Sequence, residues 1–161
     1  MNTGYTRAQI ALHWVVAVLI AAQYLLADGI EEAWESYEEA GVKVTTGGAW
    51  LHIIIGVAVL GLALWRILLR TSRPAPAPGA GESAGQVMIA KVTHGLLYLL
   101  MVMLPVTGGV AWFGGIEAAG GMHKLGKTLL LVLVGLHVLG AVYNHFVLKN
   151  GMLSRMTRPQ P

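Results

Sequence analysis

Cysteine is absent from the 161-residue chain. Its absence excludes disulfides, iron–sulfur clusters, thiolate-ligated haem and covalent c-type haem attachment, because each of these needs a cysteine sulfur. Charge is also scarce, since charged residues make up 12% of the chain and hydrophobic residues 55%. This proportion leaves too little polar surface to cover a soluble protein of this length. Membrane lipid is therefore the predicted surrounding for most of the chain.

The basic residues do not predict a nucleic-acid-binding surface. The isoelectric point is near 9.4, but no basic stretch alternates with aromatic residues, and the positive charges lie at the ends of apolar segments. Membrane topology explains these charges better. No nucleic acid is expected as a partner.

Four apolar segments are long enough to cross a hydrocarbon core of about 30 Å. They cover approximately residues 10–27, 49–69, 87–113 and 122–148. The first lacks the cleavage pattern of a signal peptide and is predicted to be retained. Proline-rich residues 71–85 predict a linker between two helical hairpins, and Pro105 predicts a kink in the third span. The predicted fold is all-α, an integral membrane four-helix bundle forming one domain over 1–161.

Most basic residues lie on one side of this predicted bundle. Eight of the eleven fall at the N-terminus, the linker or the C-terminus: Arg7, Arg66, Arg70, Arg73, Lys91, Lys149, Arg155 and Arg158. An even number of spans places these three regions together, and the positive-inside tendency predicts that both termini are cytoplasmic. The loop 28–48 is then external, and it is acidic.

All six histidines lie within a predicted span or at its margin: His13, His52, His94, His123, His137 and His145. An ionisable side chain at membrane depth is costly, so it is expected to face the bundle interior with a partner. Paired imidazoles from facing helices are suited to hold a b-type haem in such a bundle. A haem-free, proton-coupled transporter is the alternative, but such a protein usually carries an intramembrane carboxylate, and none is present.

Depth indicates which histidines can pair. His52 lies near the external end of the second span and His123 near the external end of the fourth, at matching depth. His13 lies near the cytoplasmic end of the first span. Three histidines could be its partner: His94, His137 and His145. Helical rise puts His137 about 21 Å from His123 on the same face of the fourth span, and His145 about 33 Å away. The shorter separation suits electron transfer better, yet spacing alone leaves the three partners open.

Residues 5–14 (YTRAQIALHW) resemble the start of bacterial cytochrome b561 proteins, in which a similar Arg…Gln-Ile…His-Trp pattern carries the first haem ligand. The likeness extends over later segments: 51–70 (LH…WRILLR), 94–108 (H…YLL…LPVTG), 135–137 (GLH) and 149–153 (KNGML). The resemblance implies a multi-pass protein of the bacterial inner membrane with two b haems. It assigns His13 and His137 to the cytoplasmic haem, and His52 and His123 to the periplasmic haem.

The resemblance also implies an activity. Family members that stand alone are similar to quinone-linked oxidoreductases, and one branch oxidises superoxide while reducing ubiquinone. We therefore expect electrons to pass from a periplasmic donor, with superoxide as a candidate, through both haems to quinone. The alternative is an electron-relay subunit bound to a hydrogenase or dehydrogenase as its redox partner protein. The chain has neither a fifth span nor large extramembrane loops, which favours an independent oxidoreductase.

Further polar residues are candidates around these haems. Basic groups that could neutralise propionates are Arg7, Arg66 and Lys91. Groups that could hydrogen-bond a quinone near the cytoplasmic side are His145, Asn144 and His94. Lysines that could steer an anion such as superoxide to the outer haem are Lys124 and Lys127.

Each of these assignments has a structural alternative. Lysines at span ends also anchor helices at the membrane interface, and the acidic external loop disfavours anion steering. Three glycines next to the histidines could admit a flat macrocycle or simply allow close helix packing: Gly56, Gly135 and Gly140.

Overall fold

The computed structural model describes residues 4–73 and 76–159. Six helices form in these ranges: α1 (Arg7–Leu25), α2 (Asp28–Ala40), α3 (Gly47–Ser72), α4 (Ala84–Gly114), α5 (Glu117–Phe146) and α6 (Met152–Arg155). Four of them, α1, α3, α4 and α5, are long and apolar enough to cross a membrane. The predicted all-α membrane bundle with four spans is thereby confirmed.

Side-chain caps define where three of the spans begin. The Thr6 hydroxyl accepts from the Gln9 amide and the Gln9 side chain bonds back to Thr6, a capping box, and Ser83 with Gln86 forms the same motif at α4. Thr46 caps α3 through the Ala49 amide. These bonds satisfy amide groups that the first helical turn leaves without partners.

The proline-rich linker is shorter than predicted. Helix α3 continues to Ser72 and α4 starts at Ala84, so the described linker residues outside a helix after Arg73 are 76–83. Pro74 of the predicted linker lies outside the described residues. Helix α4 continues through Pro105 as one element, and a kink at that point stays a prediction.

The acidic segment 28–48, predicted to be a loop, is largely helical. Helix α2 forms there and places four apolar residues against the bundle at helical spacing: Ile30, Ala33, Trp34 and Tyr37. Trp34 packs beside Gly120 of α5, where a Cβ atom would lie 2.8 Å from the indole Cζ2. Because Gly120 has no side chain, the Trp34 indole can occupy the space beside it.

The spans pack in a defined neighbour order. Backbones approach closely between α1 and α3, between α3 and α4, and between α4 and α5. Within the described chain, neither α1 nor α3 packs its backbone extensively on α5. Two apolar layers lie between the helices: one of Val16, Val59, Ala63 and Met101, and one of Leu100, Leu104 and Leu130.

The first span, the linker and the segment after α5 meet at one end of the bundle. The Trp14 indole donates to the Met156 carbonyl at 2.8 Å, and the side-chain amide of Gln9 donates to the Arg73 carbonyl at 3.2 Å. We call this end, with the N-terminus, the linker and α6, the terminal end. The opposite end, covered by α2, is called the distal end.

Candidate functional site

Four histidines form two pairs inside the bundle, and α5 contributes one histidine to each. His13 of α1 faces His137, with ring centroids 6.0 Å apart. His52 of α3 faces His123, with centroids 6.2 Å apart. We call these the terminal pair and the distal pair after the ends at which they lie. All four side chains are half-buried.

Both separations fit two imidazoles that bind one metal from opposite sides. An imidazole nitrogen lies about 2.0–2.1 Å from a bound metal, so two such nitrogens are about 4 Å apart. Adding about 1 Å from each nitrogen to its ring centre brings the centroids to about 6 Å. No group of three or more histidine or carboxylate residues among the described residues could hold an ion alone. Paired ligands suit a haem, whose ring nitrogens complete the coordination.

The helix packing agrees with such a macrocycle. The terminal pair joins α1 to α5, and the distal pair joins α3 to α5. Neither of these helix pairs has extensive backbone packing in the described chain. A flat group between the imidazoles therefore does not compete with a helix–helix seam.

In the distal pair, His123 is oriented by the backbone of α4. Its Nδ1 donates to the Leu104 carbonyl at 2.9 Å, which leaves Nε2 without a proton and free to bind a metal. A Cβ atom on Gly108 would lie 3.0 Å from the His123 Cε1. The absent side chain of Gly108 thus allows the Cε1–Nδ1 edge of the imidazole to approach α4 closely.

Gly108 was not among the glycines that the sequence singled out. Of those, Gly135 and Gly140 face open space, and Gly56 lies next to the Gln23 amide. A signal for Gly108 existed, because it follows the Leu-Pro-Val-Thr segment shared with the resembled family. Its partner on another helix could not be read from one sequence.

Arg66 is the main charged group at the terminal pair. Its guanidinium makes three long contacts of 3.4 Å, to the Gln9 carbonyl, the His13 Nδ1 and the Tyr98 hydroxyl. Its Nε is buried without a hydrogen-bond partner among the described residues. The two ion pairs seen in the described ranges lie at the distal end. A half-buried cation without a carboxylate fits the anionic propionate of a haem.

The other two basic residues that were predicted to neutralise haem propionates are more exposed than Arg66. Arg7 and Lys91 are both exposed, and neither makes an ion pair in the described part of the chain. Tyr98, to which the sequence analysis gave no role, has its ring centroid 5.9 Å from the guanidinium carbons of both Arg66 and Arg70. Its position one turn after His94 on α4 was the available signal.

The three predicted quinone residues separate in the structure. The His94 ring lies edge-on to His137 with centroids 4.9 Å apart, and its Nδ1 donates to the Ala90 carbonyl at 2.6 Å. His145 is exposed and contacts the ring of the neighbouring Phe146. Asn144 donates to the Gly140 carbonyl and accepts from Asn150. Of the three, His94 therefore reaches the terminal pair.

Both predicted anion-steering lysines are paired with carboxylates of α2. Lys124 lies 3.5 Å from a Glu38 oxygen, and the Lys127 ammonium contacts Glu31. The hydrogen bond from Lys127 holds the pKa of Glu31 below its usual value. Because each lysine already has a counter-charge, its attraction for a mobile anion is weakened, and the predicted steering role loses support.

Comparison with known proteins gives consistent matches over nearly the whole chain. The family model described as prokaryotic cytochrome b561 matches residues 4–159. Cytochrome b562 of Cereibacter sphaeroides is 37% identical over 157 residues, covering 98% of this chain and 97% of that protein. The probable superoxide oxidase CybB of Yersinia pestis is 30% identical, with 97% of each chain covered. Cytochrome b561 homolog 2 of Escherichia coli is 26% identical over 91% of this chain and 87% of its own.

Proposed function

Because the chain belongs to the prokaryotic cytochrome b561 family, we propose that it carries electrons through two b haems between a periplasmic donor and quinone. Family membership makes it a haem b-binding electron-transfer protein of the bacterial inner membrane. The observation that supports two haems is the presence of two histidine pairs with centroids 6.0 and 6.2 Å apart.

Each proposed haem has one ligand from α5. His13 and His137 hold one, and His52 and His123 hold the other. Haem b supplies an iron that accepts and releases one electron at a time. The two α5 ligands are separated by about 21 Å along the helix. Leu130, which is buried midway between them, packs with Leu100 and Leu104 and keeps water out of the intervening core.

Arg66 is proposed to pair with a propionate of the terminal haem. If His13 holds the iron through Nε2, its proton would lie on Nδ1, which would then not accept a hydrogen bond from Arg66. The Nη2 group that faces His13 and the unpartnered Nε of Arg66 would be available to a carboxylate. Because a guanidinium binds carboxylates with fixed geometry, Arg66 would also hold the macrocycle in one orientation.

The terminal end is proposed to face the cytoplasm, which follows from its basic residues and the positive-inside tendency. Quinone is proposed to bind near the terminal pair, and His94 is favoured over His145 and Asn144 because it contacts His137. With its Nδ1 proton donated to Ala90, His94 can hold a second proton at Nε2 and pass it to a quinone oxygen.

The donor is proposed to meet the distal end. The relative named as a probable superoxide oxidase makes superoxide the first donor to test. The charge of α2 favours a neutral or basic donor instead, because its outward carboxylates repel an anion: Asp28, Glu32, Glu35 and Glu39. An electron-relay subunit of a hydrogenase or dehydrogenase is the second candidate, and a soluble-donor assay distinguishes the two.

The test begins with the haem content of the purified protein. A dithionite-reduced minus oxidised spectrum should show b-haem bands, with two haems per chain. His137→Leu should lose one haem, whereas His145→Leu, a matched control on the same helix outside both pairs, should keep both. One haem per wild-type chain, or haem loss in the control, would contradict the ligand assignment.

The activity is then tested with a soluble quinone and either superoxide or a chemical reductant. Reduction of the oxidised haems by superoxide, followed by their quinone-dependent reoxidation without added protein, would support independent function. Haems that a chemical reductant and quinone turn over but superoxide leaves oxidised would favour the relay subunit instead.

A further inference from the structure

Two buried polar atoms beside the distal pair have no hydrogen-bond partner among the described residues. They are the Nδ1 of His52 and the Oε1 of Gln23. A buried polar group without a partner costs free energy and calls for an explanation. The two atoms belong to residues that touch, because the Gln23 Nε2 donates to the His52 backbone carbonyl at 3.0 Å.

The orientation of the Gln23 amide follows from this bond. A carbonyl oxygen only accepts, so the amide atom that faces it must be the nitrogen. The atom left over is then an oxygen, which only accepts. Its natural partner is an N–H group.

We propose that Gln23 is a positioning residue for the distal haem ligand His52, with its Oε1 accepting the Nδ1–H of that imidazole. This inference rests on the proposed function, because iron binding through Nε2 is what keeps the His52 proton on Nδ1. Ligating histidines commonly donate their other N–H to an acceptor that orients the ring. One bond between the two unpaired atoms would satisfy both.

Gly56 supplies the room for this amide. It lies one turn after His52 on α3, and a Cβ atom there would be 3.2 Å from the Gln23 Nε2. Contacts this short force a neighbour to move. Gly56, which the sequence suggested could admit a macrocycle, therefore faces the side-chain amide of Gln23 instead.

The other distal ligand shows why Gln23 matters. His123 donates to a backbone carbonyl, that of Leu104, which no side-chain substitution removes. The acceptor for His52 is a side chain and can be changed. When the imidazole nitrogen that does not bind iron donates its proton to a hydrogen-bond acceptor, the imidazole becomes a stronger electron donor. This stabilises oxidised iron and lowers the reduction potential of the haem.

The test is an optical redox titration of the purified full-length protein. Gln23→Leu removes the acceptor and should raise the potential of one haem. The expected change in its reduction equilibrium is about tenfold, or about 59 mV for one electron. The other haem should not shift. Gln23→Glu keeps an oxygen at the same distance along the side chain and should shift the same haem to a lower potential.

The matched control is Tyr24→Phe. Tyr24 is the next residue of α1, and its hydroxyl donates to the Lys127 carbonyl at 2.5 Å, so the variant removes an interhelical bond at the same depth without contacting a histidine. Both haem potentials should stay unchanged. An equal shift in this control would show that loosened helix packing, and not the hydrogen bond, moves the potential.

Other outcomes separate this inference from the proposed function. Wild-type protein without haem would overturn the function itself. Two haems in the wild type with unchanged potentials in both Gln23 variants would overturn only the role of Gln23. If Gln23→Leu does not fold, an unchanged potential in Gln23→Glu is sufficient to reject it.

Discussion

The terminal and distal histidine pairs have nearly the same ring separation, 6.0 and 6.2 Å, but opposite electrostatic surroundings. The half-buried guanidinium of Arg66 lies at the terminal pair without a carboxylate partner among the described residues. At the distal end, Lys124 and Lys127 are paired with glutamates of α2, and further carboxylates face outward. Positive charge stabilises the reduced form of an iron, so we expect the terminal haem to have the higher potential. Electrons would then move downhill from the distal to the terminal end.

The largest expected effect comes from removing the cover of the distal end. Trp34 is 8% exposed and packs in a buried cluster to which α3, α4 and α5 also contribute. Trp34→Ala should weaken the docking of α2 by about 3–5 kcal/mol, because a buried aromatic side chain is replaced by a cavity. Protease cleavage within α2 should become faster. Trp50→Ala, which removes a tryptophan that is 49% exposed, is the control and should cleave as the wild type does.

A smaller effect is expected from Gly108→Ala at the distal pair. The added Cβ would lie 3.0 Å from the His123 Cε1 and push the imidazole out of its position against α4. Retention of the distal haem should fall about 10–100-fold, as for other changes that disturb how a ligand is oriented. Titration of haem into the apoprotein measures this loss.

The neighbouring residue provides the control for that substitution. A Cβ atom added to Gly109 would meet no other side chain within 4 Å, so Gly109→Ala should bind haem normally. If both alanine variants lose haem equally, contact with His123 is not the cause.

Arg66→Leu sharpens the electrostatic comparison. Removing a unit charge about 10 Å from an iron, at an effective dielectric constant near 20, changes the reduction free energy by about 1–2 kcal/mol. The terminal haem should therefore become harder to reduce, and the distal haem should change less. The exposed Arg7 serves as control, and Arg7→Leu should leave both potentials in place. A larger shift of the distal haem than of the terminal haem would reverse the assignment of Arg66.

The smallest effect is expected from the Glu31–Lys127 pair. Because Lys127 lowers the pKa of Glu31 from 4.5, the pair contributes to α2 docking above that pH and loses its contribution as pH falls through the lowered pKa. The Lys127 side chain is 41% exposed and that of Glu31 48%, so the contribution is about 0.2–1 kcal/mol and decreases with added salt. Glu31→Gln should be slightly less stable than the wild type at neutral pH and equally stable in acid. A difference that persists in acid would exclude the ion pair as its source.

Much of the fold could be predicted because it depends on local properties. Span length and apolar composition are sufficient to identify four membrane helices, and Thr6 and Ser83 mark two of their starts. Helix α2 was missed although Ile30, Ala33, Trp34 and Tyr37 follow a helical period. The segment was treated only as an acidic loop between two spans, and the surface that α2 covers is formed by other helices.

The candidate site was predictable only in part. Helical spacing placed His123 and His137 on one face of α5 but left His94, His137 and His145 open as partners of His13. The structure brings His13 to His137, with His94 beside them, while ligation itself stays a prediction. Gln23 was not singled out, and Tyr98 appeared only within the family-like segment 94–108 without a role, because their partners lie on other helices.

The sequence by itself determined the solvent, the number of spans and the depth of every histidine, since these depend on composition and on rise along a helix. Only the tertiary structure decided which faces of the helices meet. That choice depends on the rotation of each helix about its axis, which is set by contacts such as Gly108 with His123 and Gly56 with Gln23. Such contacts join residues far apart in the chain. For this reason the opposite electrostatic surroundings of the two histidine pairs emerge from the fold.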